Sequence, residues 1–201
     1  MMLNTIITGV TAYISTSLDY LLILMVVFGG TPKHQRGLVY IGDIIGTSVL
    51  VAVSIILAYA LGFVPQPWLL GLLGLIPIYM GVHLLFGEED DADAKVNNTM
   101  AKHMNVIWKV ALITIATCGA DNIGIYVPLL TQLEHSAVPL LLITFFVMLT
   151  LFCTASLLLS RIPQIAHLLD RYGRYITAVV YCLIGFGVLW EGGTVQHLLH
   201  L

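Results

Sequence analysis

The chain contains two stretches with the same layout, Thr16-Ser17-Leu18-Asp19 and Cys118-Gly119-Ala120-Asp121, each deep within an apolar run. A carboxylate at the centre of a lipid bilayer costs about 2.5–3.5 kcal/mol even on lenient insertion scales. Two such aspartates in similar contexts indicate a duplicated site inside a membrane, and they decide how the rest of the sequence is interpreted.

The composition is that of an integral membrane protein. The chain has 201 residues, of which 59% are hydrophobic and 9% are charged, which is more apolar surface than a soluble domain of this size buries. A net charge of −3 without a basic patch argues against a nucleic-acid partner. The three cysteines lie in apolar segments and are not a disulfide framework.

Six apolar stretches are long enough, or nearly long enough, to cross a bilayer, because about 20 residues of helix span the hydrocarbon core. They cover residues 4–28, 38–63, 68–86, 107–130, 137–159 and 175–190, of which the last is short. The N-terminus lacks a secretory signal, so the first stretch is predicted to remain as a helix. The sequence predicts an all-α integral membrane protein with six transmembrane helices in a single domain over residues 1–201.

The positive charges predict the orientation of these helices. All eight Lys and Arg residues lie in or beside loops one, three and five: Lys33, Arg36, Lys95, Lys102, Lys109, Arg161, Arg171 and Arg174. The positive-inside rule places these three loops in the cytoplasm. With six helices, both termini are then predicted to lie outside the cell.

The two halves of the chain are predicted to be inverted repeats. Aligning Asp19 with Asp121 pairs Thr16 with Cys118 and Ile23 with Ile125. Because each half has three helices, the second half must run in the opposite orientation, as in many secondary transporters with a substrate site between their halves. The repeats cover about residues 1–87 and 106–201. They are joined by an acidic cytoplasmic loop at 88–105, which is a solvated linker or a weak cation-collecting site.

The stretch from Thr117 to Pro128 supplies the chemical groups that a divalent cation needs. Its glycines and Pro128 loosen the helix, which frees backbone carbonyl oxygens beside Asp121. Cys118 shares a helix face with Asp121 and Asn122, since residues three and four apart are neighbours. A thiol selects soft metals over Mg²⁺ and Ca²⁺. The alternative is that the glycines serve helix packing and Cys118 is a small core residue.

Two further segments carry candidate ligands. Thr16 and Asp19 lie in a hydroxyl-rich turn of the first helix. Asp43 lies about one turn inside the second helix, where a vestibule role or partial solvation is an alternative to substrate contact. The candidate metal ligands are therefore Asp19, Asp121, Cys118, Asn122, Thr16 and Asp43. No catalytic residue and no resident cofactor are expected.

These motifs resemble those of a known family. Residues 16–19, Tyr40-Ile41-Gly42 and the stretch from Cys118 to Leu129 are similar to the CadD-type cadmium resistance transporters of bacteria, within the lysine-exporter superfamily. The resemblance extends over essentially the whole chain. It implies a multi-pass plasma-membrane protein that exports Cd²⁺, with Zn²⁺ as a further candidate, without ATP. The family pattern has Gln where this chain has Asp43, and an added acid there alters the expectation for metal preference or proton coupling.

Other functions fit parts of the pattern. Amino-acid exporters of the superfamily need a positive charge or a free helix N-terminus for the substrate carboxylate, and no Lys or Arg lies deep in a predicted helix. A membrane thiol oxidoreductase of this layout carries paired cysteines in the first and fourth helices, but Thr16 stands opposite Cys118. A non-transporting scaffold leaves the two buried acids unexplained.

Cation transport by a protein that is not an enzyme is the favoured interpretation. The expected partners are the lipid bilayer and the divalent metal ion, and self-association into a homo-oligomer is compatible with this class.

Overall fold

The computed structural model describes residues 2–62, 67–86, 99, 104–160 and 163–199, without the side chains of Asp19, Pro67, residues 163–171, 173–174 and 198–199. Every regular element in these residues is helical, as predicted. The helices are α1 (Met2–Gly30), α2 (Arg36–Leu61), α3 (Pro67–Gly71), α4 (Leu75–Phe86), α5 (Val106–Gln132), α6 (Val138–Leu159), α7 (Pro163–Glu191) and α8 (Thr194–Leu199). Short 3₁₀ turns occur at Lys33–Gln35, Leu72–Gly74 and His135–Ala137.

Several predictions fall on parts of the chain outside this description. They concern the acidic run at 88–93, most of the loop at 88–105, and the basic side chains of Lys95, Lys102, Arg161, Arg171 and Arg174. Lys33, Arg36 and Lys109 are described, and they lie at or near the starts of α2 and α5.

The described helices include four segments that are long and apolar enough to cross a membrane, at Lys33–Leu61, Trp68–Phe86, Val106–Gln132 and His135–Leu159. Helix α1 is a fifth if its two parts form one span: Met2–Leu18 and Tyr20–Gly30 meet at an angle of 59°. The apolar part of α7, Tyr175–Glu191, is shorter. Each predicted apolar stretch is thus helical, although the third is divided into α3 and α4 by the 3₁₀ turn at Leu72–Gly74, while six crossings of the bilayer stay a prediction.

Helix α2 packs against α5 through two glycines that are four residues apart. A Cβ atom on Gly42 would stand 2.5 Å from the Ile107 carbonyl oxygen, and one on Gly46 would stand 2.6 Å from Thr114 Cβ. Small residues with this spacing let the backbones of membrane helices approach closely. Because residue numbers rise together in both contacts, α2 and α5 run parallel.

Helix α1 packs against α6 in the same parallel sense. A Cβ atom on Gly9 would stand 2.8 Å from Leu141 Cδ1. One turn further along α1, the Tyr13 ring lies 5.4 Å from the Phe152 ring, centroid to centroid, and meets it edge-on. These contacts fix the depth of α1 relative to α6.

Helices α4 and α7 form an antiparallel pair that also depends on glycine. Gly74 and Gly185 face each other so closely that a Cβ atom on either would meet the carbonyl oxygen of the other. Further along, a Cβ atom on Gly81 would stand 2.7 Å from the Ala178 carbonyl oxygen. The residue numbers change in opposite directions, so the helices are antiparallel.

The buried core lies between these helix pairs. One cluster of buried side chains is centred on Tyr13, Tyr126 and Phe145, and a second includes Leu24 and Ile113. Tyr126 is completely buried. Many other apolar side chains are exposed, as is expected where helices face lipid.

We predict that Gly46→Leu lowers the free energy of unfolding by about 1–3 kcal/mol, the usual cost of overpacking a close contact. The added side chain would have to displace Thr114 and the α5 backbone. Thermal denaturation in detergent micelles measures the effect. Gly37→Leu in the same helix is the matched control, since nothing lies within 4 Å of a Cβ atom at that position. Equal melting temperatures for the two variants would contradict the close α2–α5 contact.

Candidate metal centre

Asp43 is buried where four helices meet, with 1% of its surface exposed. Its Oδ1 atom accepts hydrogen bonds from the Tyr20 hydroxyl of α1 at 2.9 Å and the Thr114 hydroxyl of α5 at 3.2 Å. The Cys153 thiol of α6 lies near enough to interact with this carboxylate. The two hydroxyl oxygens of Tyr20 and Thr114 lie 2.6 Å apart. We call these four residues the Asp43 cluster.

The α2–α5 contact positions this cluster. Asp43 directly follows Gly42, and the missing side chains of Gly42 and Gly46 let α2 approach α5 closely. The carboxylate therefore reaches Thr114 across the helix interface. The sequence predicted Asp43 about one turn inside its helix, with a vestibule role or partial solvation as the alternative to substrate contact. It is buried, about two turns inside α2.

Thr16 and Tyr126 form a second polar contact between α1 and α5. Their hydroxyl oxygens lie 3.1 Å apart, and the Tyr126 ring lies 4.5 Å from the Phe145 ring, centroid to centroid. Tyr20, which follows Thr16 on α1, instead contacts Thr114, which precedes Tyr126 on α5. Since the contacts advance in opposite directions along the two helices, α1 and α5 run antiparallel.

A strip of polar side chains on α5 connects the two contacts. Thr114, Cys118, Asn122 and Tyr126 follow one another at intervals of four residues, so they share one helix face. All four are buried. Together with residues 16–20 of α1, which lie opposite, this strip is named the polar seam.

The middle of the polar seam presents an amide oxygen and a thiol. Asn122 Oδ1 is buried, and no described group donates a hydrogen bond to it. Buried polar atoms normally have a partner, so an open acceptor at this place suits a cation or a water. The Cys118 thiol lies 3.6 Å from the Thr117 hydroxyl and is 4% exposed.

The two aspartates that dominate the sequence lie at the level of the polar seam. Asp121 is half-buried on α5, three residues after Cys118 and directly before Asn122. Its charge acts on the Tyr126 hydroxyl. Asp19 belongs to α1 at the position where that helix bends, and its side chain lies outside the description. Among the described side chains, no three His, Cys, Asp or Glu residues come close enough together to hold a metal ion.

Sequence reasoning missed four residues that complete this arrangement: Tyr20, Thr114, Tyr126 and Cys153. Thr114 and Tyr126 carry a signal in the sequence, because they continue the four-residue spacing of Cys118 and Asn122. Tyr20 follows Asp19 directly. Cys153 was not among the predicted ligands, and nothing local to α6 indicates that it lies near a carboxylate from α2.

Comparison with known proteins agrees with the motifs. The family model described as cadmium resistance transporter matches residues 13–201. The chain belongs to the cadmium resistance transporter family. No curated protein and no solved structure matches it. Membership of this family confirms the resemblance drawn from the motifs, and it makes the protein a member of a transporter family embedded in a lipid bilayer.

We predict that Thr114→Val destabilises the protein by about 1–3 kcal/mol, because the buried Asp43 carboxylate loses a donor. Thermal denaturation in detergent measures this loss. Thr154→Val on α6 is the matched control. Its hydroxyl is exposed and donates only to its own helix, to the Thr150 carbonyl at 2.7 Å, so its substitution should stay within about 0.5 kcal/mol. The same effect in both variants would show that Asp43 does not depend on Thr114.

Proposed function

We propose that the protein is a secondary transporter that exports Cd²⁺ from the cytoplasm across the bacterial plasma membrane and thereby confers cadmium resistance. Zn²⁺ is the second candidate cargo. The observation that carries the proposal is the polar seam, where hydroxyl, thiol and amide groups line up inside a bundle of apolar helices, with the Asp121 carboxylate at the same level of α5. Polar and ionisable groups at such depth are costly and mark ion pathways in membrane proteins.

In this proposal Asp19 and Asp121 are the central ligands, and Cys118, Asn122 and Thr16 complete or tune the metal shell. Helix α5 has 27 residues, which is about 40 Å at 1.5 Å per residue. Asp121 lies near its middle, at the depth where secondary transporters bind their substrates. The thiol of Cys118 favours a soft metal such as Cd²⁺ over Mg²⁺.

The charge of the polar seam supports a cation over an amino acid. An amino-acid substrate needs a positive charge or a free helix N-terminus for its carboxylate. Among the described residues, the basic residue on α5 is Lys109, in the first turn of that helix and far from Asp121. Asp121, at the level of the polar seam, therefore favours a metal ion.

The directions of the helix pairs support six membrane crossings with loops one, three and five on one side. Such a chain starts α2 and α5 from the same side, and it ends α1 and α6 at the same side. It also requires α4 and α7 to run in opposite directions. The contacts of all three pairs fit these directions.

The same pairs support inverted repeats at about residues 1–87 and 106–201, joined by the loop at 88–105. Exchanging the halves replaces α1 by α5, α2 by α6 and α4 by α7. The α2–α5 pair then becomes the α6–α1 pair, and the α4–α7 pair becomes itself. Contacts related in this way are expected when two halves of a chain share one fold.

We predict that everted membrane vesicles containing the protein accumulate radiolabelled Cd²⁺ under an imposed ion gradient. Asp19→Asn and Asp121→Asn should each lower the initial rate by at least about tenfold, the effect of losing about 1.4 kcal/mol of cation binding. Glu134→Gln is the matched control, because Glu134 is exposed in the loop between α5 and α6.

Accumulation no greater than in empty vesicles would reject cadmium export, and labelled amino acids would be tested next. Transport that survives both aspartate substitutions at equal expression would reject the central ligands while leaving the family function intact. An excess of unlabelled Zn²⁺ in the same assay distinguishes a shared pathway from one selective for Cd²⁺.

We also predict that Ser136→Cys reacts with a membrane-impermeant maleimide in intact cells, whereas Lys33→Cys reacts only after the membrane is opened. Both side chains are exposed in short loops, Ser136 before α6 and Lys33 before α2. The parent chain, with its three native cysteines, gives the background labelling. The reverse pattern would place loops one and three outside the cell and overturn the proposed orientation.

A further inference from the structure

The Asp43 cluster lacks a positive charge. Among the described residues, the polar groups that interact with the Asp43 carboxylate are the hydroxyls of Tyr20 and Thr114 and the thiol of Cys153, and no Lys, Arg or His pairs with it. Desolvating a carboxylate costs several kcal/mol unless an opposite charge or a full set of hydrogen bonds offsets the loss. A membrane protein keeps such a group where a cation passes or binds.

The cluster does not provide enough donors for a permanent carboxylate. The Thr114 hydroxyl has one proton, and it is shared between the Asp43 carboxylate and the Val110 carbonyl, whose oxygen lies 3.0 Å from it. The Tyr20 hydroxyl is similarly shared between Asp43 and Thr114. A thiol is a weak donor. Each of these groups, however, has an oxygen or sulfur lone pair that a metal ion accepts.

The four groups come from four different helices and meet at the Asp43 carboxylate. Asp43 is seven residues from the start of α2, and Cys153 is six residues from the end of α6, which is about 9–11 Å of helix. Because α2 and α6 run in opposite directions, both residues lie at the same depth. That depth is nearer the start of α2 than Asp121 is.

We propose that Asp43 and Cys153 are ligands of a second binding site for a soft divalent cation, with the hydroxyls of Tyr20 and Thr114 beside it, at the end of the polar seam nearest the start of α2. The site binds the metal through one carboxylate and one thiolate, so the thiol loses its proton to water on binding. A thiolate ligand selects Cd²⁺ and Zn²⁺ over Mg²⁺ and Ca²⁺. This inference rests on the proposed export function. It adds a second binding site that the exported metal reaches before Asp19 and Asp121.

Cadmium titration of purified protein in lipid nanodiscs tests the site through the ultraviolet charge-transfer band of cadmium bound to thiolate. A variant with Cys118→Ser and Cys182→Ser keeps only Cys153, and it should develop the band with about one Cd²⁺ per protein. The matched control carries Cys118→Ser and Cys153→Ser and keeps only Cys182, a half-buried residue of α7. The control should develop no band.

Adding Asp43→Asn to the variant that keeps Cys153 tests the second ligand. Removing a group that merely orients a metal ligand weakens binding by about 10–100-fold, so loss of the carboxylate charge should weaken the apparent Cd²⁺ affinity at least as much. Size-exclusion elution and the helical circular dichroism spectrum verify that each variant is folded. If a combined variant does not fold, Cys153→Ser and Cys182→Ser are each compared with the wild-type protein, and only Cys153→Ser should reduce the band.

The inference is overturned if folded protein with Cys153 as its only cysteine develops no band. It is equally overturned if Asp43→Asn leaves the affinity unchanged, since Asp43 is then a protonated structural group. Failure of export is a separate result: wild-type vesicles that do not accumulate Cd²⁺ reject the proposed function. Wild-type transport of Cd²⁺, together with no charge-transfer band in the variant that keeps only Cys153, rejects only the second site.

Discussion

The close contact of α2 with α5 at Gly42 and Gly46 determines where the polar groups of this protein meet. Lipid gives membrane helices little hydrophobic reason to associate, so van der Waals packing at small residues must hold them together. The two glycines remove the side chains that would separate the backbones. Asp43 lies between them in sequence and is therefore in the interface, where its carboxylate accepts a hydrogen bond from the Thr114 hydroxyl. A larger residue at either glycine would move the carboxylate away from α5.

The buried carboxylate then constrains the surrounding helices electrostatically. It accepts hydrogen bonds from hydroxyl groups of α1 and α5 and interacts with the Cys153 thiol of α6, but none of these groups carries a positive charge. A net intramolecular hydrogen bond is worth about 0.5–1.5 kcal/mol, or somewhat more to a charged group, which is less than the desolvation cost of an ionised carboxylate. Packing energy from the glycine contacts keeps the group in place, and a bound cation would supply the missing charge.

The sequence was sufficient to predict the helices because hydropathy and helix length are local properties. It did not predict the break at Leu72–Gly74 or the start of α7 at Pro163, twelve residues before the predicted span. The site was only partly predictable. The spacing of Cys118 and Asn122 indicates one face of α5, and extending it finds Thr114 and Tyr126. Burial of Asp43 and its contact with Cys153 depend on how α2 and α6 are packed, and no periodicity within either helix carries that information.

The distribution of strong and weak contacts fits a protein that alternates between two openings. The α2–α5 pair has two glycine contacts that bring the backbones close together, and α1 packs on α6 at Gly9 and Tyr13. The polar seam between α1 and α5 is instead closed by hydroxyl groups at Tyr20 and at Thr16. Breaking one hydroxyl contact costs about 1 kcal/mol, much less than separating close-packed backbones. If the two pairs rock against each other, the polar seam opens at one end while the other end stays closed, and the pairs themselves stay intact. An ion held midway along the polar seam would then be exposed to each side of the membrane in turn.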